Sequence, residues 1–139
     1  MLNATTSIRS FAIATIDNIQ YNIVQDHTTG IYFFDTLWRY ISLLALPNTN
    51  YMIVANNQFY FSMDSGSKEI ITTPLNSTNI IASLNGSTKS YRSLAYISNN
   101  SSIIAANYGS MKIDKFYLNL SLISSYALSS TPYGIAFYN

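Results

Sequence analysis

Two stretches decide how this chain is read: YISLLALPNTNYMIVAN at Tyr40–Asn56 and YRSLAYISNNSSIIAAN at Tyr91–Asn107. Laid over one another at an offset of 51 residues, without a gap, they share Tyr40/Tyr91, Ser42/Ser93, Leu43/Leu94, Asn48/Asn99, Ile53/Ile104, Ala55/Ala106 and Asn56/Asn107. Chance gives about one or two such matches in a composition this biased, so the chain repeats itself. Around these stretches the apolar residues come in short bursts rich in β-branched and aromatic side chains, among them NIVQ, IYFF, YMIV, FYFSM and SIIA, which predict strands. Turn clusters separate them: DHTTG at 26–30, PNTN at 47–50, DSGS at 64–67, NSTN at 76–79, NGST at 85–88 and SNNSS at 98–102. No stretch keeps a 3.6-residue period over a dozen residues, so helix is expected to be minor.

The core of the repeat reads Ser10-Phe11-Ala12-Ile13, Ser42-Leu43-Leu44-Ala45, Ser93-Leu94-Ala95-Tyr96 and Gly134-Ile135-Ala136-Phe137. The starts are 32, 51 and 41 residues apart, a mean near 41 that suits a four-stranded propeller blade. The expected architecture is therefore all-β: four-stranded antiparallel blades of a β-propeller, about three of them, open or fragmentary. Residues 1–139 are read as one partial propeller, with blades at 8–39, 40–90 and 91–131 and the first strand of a further blade at 132–139. In this phasing the first repeat is short, its outermost strand missing or merged with the loop around Trp38. The second is long, with a disordered or hairpin insertion expected in 65–88, where Pro74 and NSTN interrupt the pattern. Asp26, Asn56 and Asn107 end the second burst of each repeat and Asp35, Asp64 and Asp114 the third, as turn-capping residues would. Propellers close with roughly four to eight blades. The chain is thus expected to be a sector of a larger propeller, the alternative being copies that self-associate through exposed blade faces and edges.

The segment MKIDKFYLNLSLISSYALSSTPYGIAF at 111–137 resembles the repeat junction of YVTN and NHL-type β-propellers, and SIIAAN at 102–107 resembles the strand motif of that family. Pro132, Gly134, Ile135, Ala136 and Phe137 fall on the opening of the next blade. The other copies depart from it: Ile8, Tyr40 and Tyr91 stand in place of Pro132, and Ser in place of Gly134. The resemblance implies a fold that hosts binding scaffolds as well as lactonases, lyases and quinoprotein-type dehydrogenases.

Composition narrows the function. The chain is 48% hydrophobic and 14% aromatic but only 9% charged, with a formal net charge of +1, so it has no basic field to hold a nucleic acid backbone. Twelve Tyr and seven Phe argue against disorder, and the lack of Cys removes disulfides, thiolate nucleophiles and cysteine metal sites. No apolar run approaches the length of a membrane helix, and the first 19 residues lack the basic and apolar regions of a signal peptide.

Few residues carry a chemical signal. His27, beside Asp26, is the single histidine; without a positioned partner it reads as a turn residue rather than an acid/base catalyst. Asp17, Asp26, Asp35, Asp64, Glu69 and Asp114 are scattered and predict no metal site, and no cofactor is expected. Arg9 and Arg92 precede the opening strand in two repeats, where loops of successive blades converge, and two guanidinium groups there could hold a carboxylate, sulfate or phosphate. The bland alternative is solubility. Trp38-Arg39-Tyr40 is either a recognition patch or packing, Trp38 filling the wedge between blades, and packing is the stronger reading. Asn-x-Ser/Thr acceptors occur at Asn3, Asn76, Asn85, Asn99, Asn100 and Asn119, which leans toward an extracellular or lumenal protein. The leading expectation is a non-catalytic scaffold for a protein, peptide or glycan ligand. The alternatives are the remnant of a propeller enzyme, or a structural or adhesive surface module.

Overall fold

The computed structural model describes residues 7–64, 66–86 and 91–135. Among these residues twelve strands form three antiparallel sheets, each a simple meander of four. The first sheet holds β1 (Ile8–Ile16), β2 (Ile19–Asp26), β3 (Gly30–Phe34) and β4 (Tyr40–Ala45). The second holds β5 (Thr49–Ala55), β6 (Gln58–Met63), β7 (Lys68–Pro74) and β8 (Ala82–Asn85). The third holds β9 (Tyr91–Ile97), β10 (Ser102–Asn107), β11 (Lys112–Tyr117) and β12 (Leu122–Ala127). Helix among the described residues is confined to a 3-10 turn at Ser98–Asn100. The chain is thus all-β, three blades of a β-propeller in an open arc, with β1, β5 and β9 side by side.

Strand alternation explains why the sheets stack. In β6 the side chains of Phe59 and Phe61 join Ala14, Ile23, Ile31 and Phe33 of the first blade in one core, while Tyr60 between them turns to the third blade. With Ile70 of its own blade it joins Leu94, Ile103 and Phe116 of the third in a second core. The middle blade is therefore apolar on both faces, and each fully buried large side chain contributes about 1.5–3 kcal/mol. The outer face of the first blade is different: Phe11 and Ile13 are half exposed, although Met52 and Leu94, at the position of Phe11 in the other blades, are buried.

The pairing corrects the expected blade boundaries. Tyr40–Ala45 is hydrogen-bonded to β3, with Tyr32 opposite Leu43 and Ile31 opposite Leu44, so it completes the first blade instead of opening the second. The described part of 65–88 is accordingly no insertion: β7 and β8 supply the third and fourth strands of the second blade, and Pro74 sits at the end of β7, opposite Gln58. Ser42 thus belongs to an outer strand. The residue that matches Ser10 and Ser93 is Tyr51, which faces Ser62 as Ser10 faces Gln25 and Ser93 faces Ala106. Of the Gly134-Ile135-Ala136-Phe137 opening, Ala136 and Phe137 lie outside the described residues.

The expected turn acids also part company. Asn56 lies with Asn57 in the two-residue turn between β5 and β6, both at positive φ, as Asp17 and Asn18 do between β1 and β2. Two left-handed residues match the twist of the flanking strands, and Asn and Asp tolerate that conformation best. Asp35 and Asp64 follow β3 and β6, whereas Asp114 sits inside β11, so the three are not equivalent. Gly30 opens β3 at φ +133°, and a Cβ there would stand 2.2 Å from the Leu44 carbonyl oxygen, so the approach of β4 requires glycine.

Candidate functional site

The site grows out of an irregularity shared by all three blades. Register slips between Ile8 and Ser10, between Thr49 and Tyr51, and between Tyr91 and Ser93, leaving Arg9, Asn50 and Arg92 as the unpaired residue of a β-bulge at the start of each inner strand. A bulge re-aims the side chain it carries. Here the three side chains line one cleft of about 270 Å³, together with Tyr51, Tyr108 and Tyr133.

A polar junction beneath the cleft sets the spacing of its walls. The Gln25 amide, fully buried, donates to both the backbone oxygen and the hydroxyl of Thr49 at 2.8 Å, and its Oε1 accepts from Ser10 Oγ at 3.0 Å. Ser10 in turn accepts the backbone N–H of Met52 at 3.1 Å. The Gln25 amide, the Thr49 hydroxyl and the Ser10 hydroxyl thus satisfy one another, as burial demands. The residues next to Ser10 and Thr49, Arg9 and Asn50, are thereby held at neighbouring points of the rim.

The opposite wall belongs to the third blade. The Arg92 guanidinium lies over the Tyr108 ring, 5.5 Å from its centroid, a cation–π contact. Tyr108 meets Tyr133 edge to face at 5.2 Å. The hydrogen bond between their hydroxyls, followed by the charge repulsion of the pair, raises the Tyr133 phenol above its ordinary pKa against the smaller opposing effect of Arg92. The Tyr133 phenol thus stays protonated. Among the described residues neither Arg9 nor Arg92 has a carboxylate within ion-pair distance, and no acid lines the cleft. What the arrangement can do is hold an oxyanion between two forks of N–H donors with aromatic faces beside it.

Trp38 and Arg39 are not part of it. Asp35 folds their loop by accepting the N–H groups of Leu37 and Arg39 at 2.9 Å, and Arg39 Nε closes an ion pair with it at 2.6 Å. Hydrogen bonding from the Arg39 backbone, opposed by slight burial and aided by its guanidinium, holds the Asp35 carboxyl below the usual range. Trp38 stacks on Phe11 at 5.6 Å and leans on Phe34 at 5.9 Å. It therefore covers the outer face of the first blade and fills no wedge between blades of this chain, because the wedge is already packed by Ile23, Phe33, Phe59 and Phe61.

His27 has partners that the sequence does not reveal. Its Nδ1 lies 3.0 Å from the Thr49 oxygen and its Nε2 3.5 Å from Asp64, tying the β2–β3 turn to the second blade. The neighbouring Asp26 takes no part, being occupied by the N–H and hydroxyl groups of Thr28 and Thr29 and by the Ser7 N–H. Asp17 and Glu69 stand apart from these, and no group of three acidic or histidine side chains capable of holding a metal occurs among the described residues. Asn76, Asn85, Asn99, Asn100 and Asn119 are exposed, and Asn3 lies outside the described residues. No helix among the described residues is long and apolar enough to cross a membrane.

Sequence reading named Arg9 and Arg92 but missed Asn50, Tyr51, Tyr108 and Tyr133. The available signal was the period: phased on the bulge, positions 9, 50, 92 and 133 recur every 41 or 42 residues.

Comparison with known proteins bears on the fold. No protein-family model matches the chain, and no curated protein matches it. Among solved structures, a protein of unknown function from Bacteroides caccae is similar over 99% of this chain and 52% of its own, with a TM-score of 0.63 and 13% identity. The Pan2 WD40 domain of Neurospora crassa is similar over 93% of this chain and 40% of its own (TM-score 0.63, 14% identity). Hsv2 of Kluyveromyces lactis is similar over 86% and 36% respectively (TM-score 0.61, 10% identity). The chain spans about half or less of the length of these structures. At such identities the likeness is one of architecture, and it includes a WD40 propeller domain.

Proposed function

We propose that the chain is a non-catalytic propeller scaffold, of the YVTN/NHL type suggested by residues 111–137, that presents the bulged ends of its inner strands to a protein, peptide or glycan ligand. One observation carries the reading: Arg9 and Arg92, from non-adjacent blades, open into the same cleft with no acid among the described residues to neutralise them. Surface arginines kept for solubility alone have no need to converge. The lack of a paired acid and base among the described residues of that cleft favours binding over catalysis. Exposure of the five described glycosylation acceptors supports an extracellular or lumenal setting.

The test is retention of the chain on displayed random peptides and on a glycan array, compared with the Arg9→Ala/Arg92→Ala double variant. Ligands retained by the native chain and lost by the variant support the reading. Equal retention by both overturns it.

A further inference from the structure

The lining of the Arg9–Arg92 cleft is chemically narrow. Among the described residues two arginines, one asparagine and three tyrosines line it, so every one of these side chains carries a hydrogen-bonding group and none is aliphatic. A peptide side chain anchored in a pocket is ordinarily met by aliphatic as well as aromatic walls, because pockets are lined predominantly by hydrophobic residues. Among the described lining residues the apolar surfaces are the faces of tyrosine rings, with Tyr133 73% exposed and Tyr51 and Tyr108 each 36% exposed. Tyrosine offers rigid, amphipathic contact at low entropic cost. Such walls fit a ligand that is itself amphipathic by face: a pyranose ring, with C–H groups on one side and hydroxyls around its edge. The volume, about 270 Å³, is at the low end for small-molecule sites and suits one or two rings.

The charge selects further. Two guanidinium groups with no carboxylate within ion-pair distance among the described residues attract an oxyanion, and their forks match the planar or tetrahedral oxygens of a carboxylate or sulfate. Arg92 is already aligned by its contact with Tyr108. Asn50, 6% exposed, offers an amide donor and acceptor to the same cleft, suited to a ring hydroxyl.

We propose that this cleft binds an acidic saccharide, a sugar ring bearing a carboxylate or sulfate, with the oxyanion held by Arg9 and Arg92 and the ring lying against Tyr51 and Tyr133. The inference rests on the scaffold reading above and names its ligand class.

The experiment is calorimetric titration of the full chain with four probes: a uronate-containing tetrasaccharide, a sulfated tetrasaccharide lacking uronate, a neutral tetrasaccharide of equal length, and an Asp/Glu-rich hexapeptide. Binding of either acidic saccharide, at least tenfold tighter than the neutral one and weakened tenfold or more by Arg9→Ala and by Arg92→Ala, supports the proposal; which of the two binds identifies the oxyanion. Both arginines are exposed, so unchanged thermal melts separate loss of binding from loss of fold. A Tyr133→Ala variant is expected to weaken binding of the acidic and the neutral probe alike. Preference for the hexapeptide, equal binding of the neutral sugar, or no binding of any probe overturns the proposal. Arginine-dependent retention on the peptide display would leave the scaffold reading standing in those cases; its absence on both displays removes that reading as well.

Discussion

Ser10 Oγ accepts the backbone N–H of Met52 across the first blade junction at 3.1 Å, and Ser93 Oγ accepts that of Ile135 at 3.2 Å, donor and acceptor standing 42 residues apart in both pairs. The same serine position thus ties an inner strand to the chain one repeat further on, β5 in the first case and the segment after β12 in the second. At the first junction the tie also fixes Gln25 and Thr49, and with them the rim of the arginine cleft.

Ser10→Ala leaves the Met52 N–H and Gln25 Oε1 short of a partner at a junction that is otherwise buried. The expected cost is about 1–3 kcal/mol, read as a lower urea midpoint with an unchanged slope. A midpoint equal to that of the native chain would show that the tie carries no stability.

Asp26 predicts an acid transition. Its carboxylate is buried, which by itself raises the pKa, but the hydroxyl and backbone N–H groups of Thr28 and Thr29 outweigh that and lower it from the usual 3.8 to about 2. The folded form therefore holds its proton more weakly than the unfolded one. Stability from this group is fully present above about pH 4 and is lost as pH falls through about 2, on the order of 2 kcal/mol in all. Asp26→Asn is expected to be less stable at pH 7 and to lack that share of the decline between pH 5 and pH 2, measured by urea melts across the range.

The Tyr91 hydroxyl donates to Asp114 Oδ2 at 2.8 Å, and the Asn107 amide donates to the same oxygen at 2.9 Å. Ser125 Oγ donates to the other carboxylate oxygen. Burial first, and then the bond and charge of Asp114, push the Tyr91 phenol well above its ordinary pKa. Tyr91 is expected to resist ionisation in an ultraviolet pH titration, and loss of one late-ionising phenol in Tyr91→Phe checks the assignment. A double-mutant cycle of Tyr91→Phe and Asp114→Asn is expected to give a coupling energy of about 1–3 kcal/mol.

Phe61 and Phe11 separate interior from terminal faces. Phe61, fully buried between the first two blades, is expected to cost about 3–5 kcal/mol on change to alanine. Phe11 is 50% exposed and rests on Trp38, so Phe11→Ala is expected to cost about 1 kcal/mol or less. A Phe11→Ala loss as large as that of Phe61→Ala, in a chain that sediments above the monomer mass, would show that another blade covers this face in solution.

Strand content, the period near 41 and the division into about three blades are local properties, readable from the alternation in IYFF or FYFSM and from turn residues such as Asp17-Asn18 and Asn56-Asn57. The phase of the repeat is not local. Tyr40–Ala45 and Tyr91–Ile97 share a sequence pattern, yet one is an outer strand and the other an inner strand. An apolar strand with a leading Ser or Tyr is compatible with either place, and only its pairing partners, β3 in one case and β10 in the other, decide between them. The cleft follows the same division. The sequence by itself determined that this chain would carry few charges and that two of them, Arg9 and Arg92, precede apolar strands. Tertiary structure alone decided that a bulge in each inner strand turns Arg9, Asn50 and Arg92 to one rim and that Tyr108 and Tyr133, distant from Arg9 in the chain, complete it. Side chains converge on a common space through pairing register and blade stacking, and both are set by contacts between residues far apart in the chain.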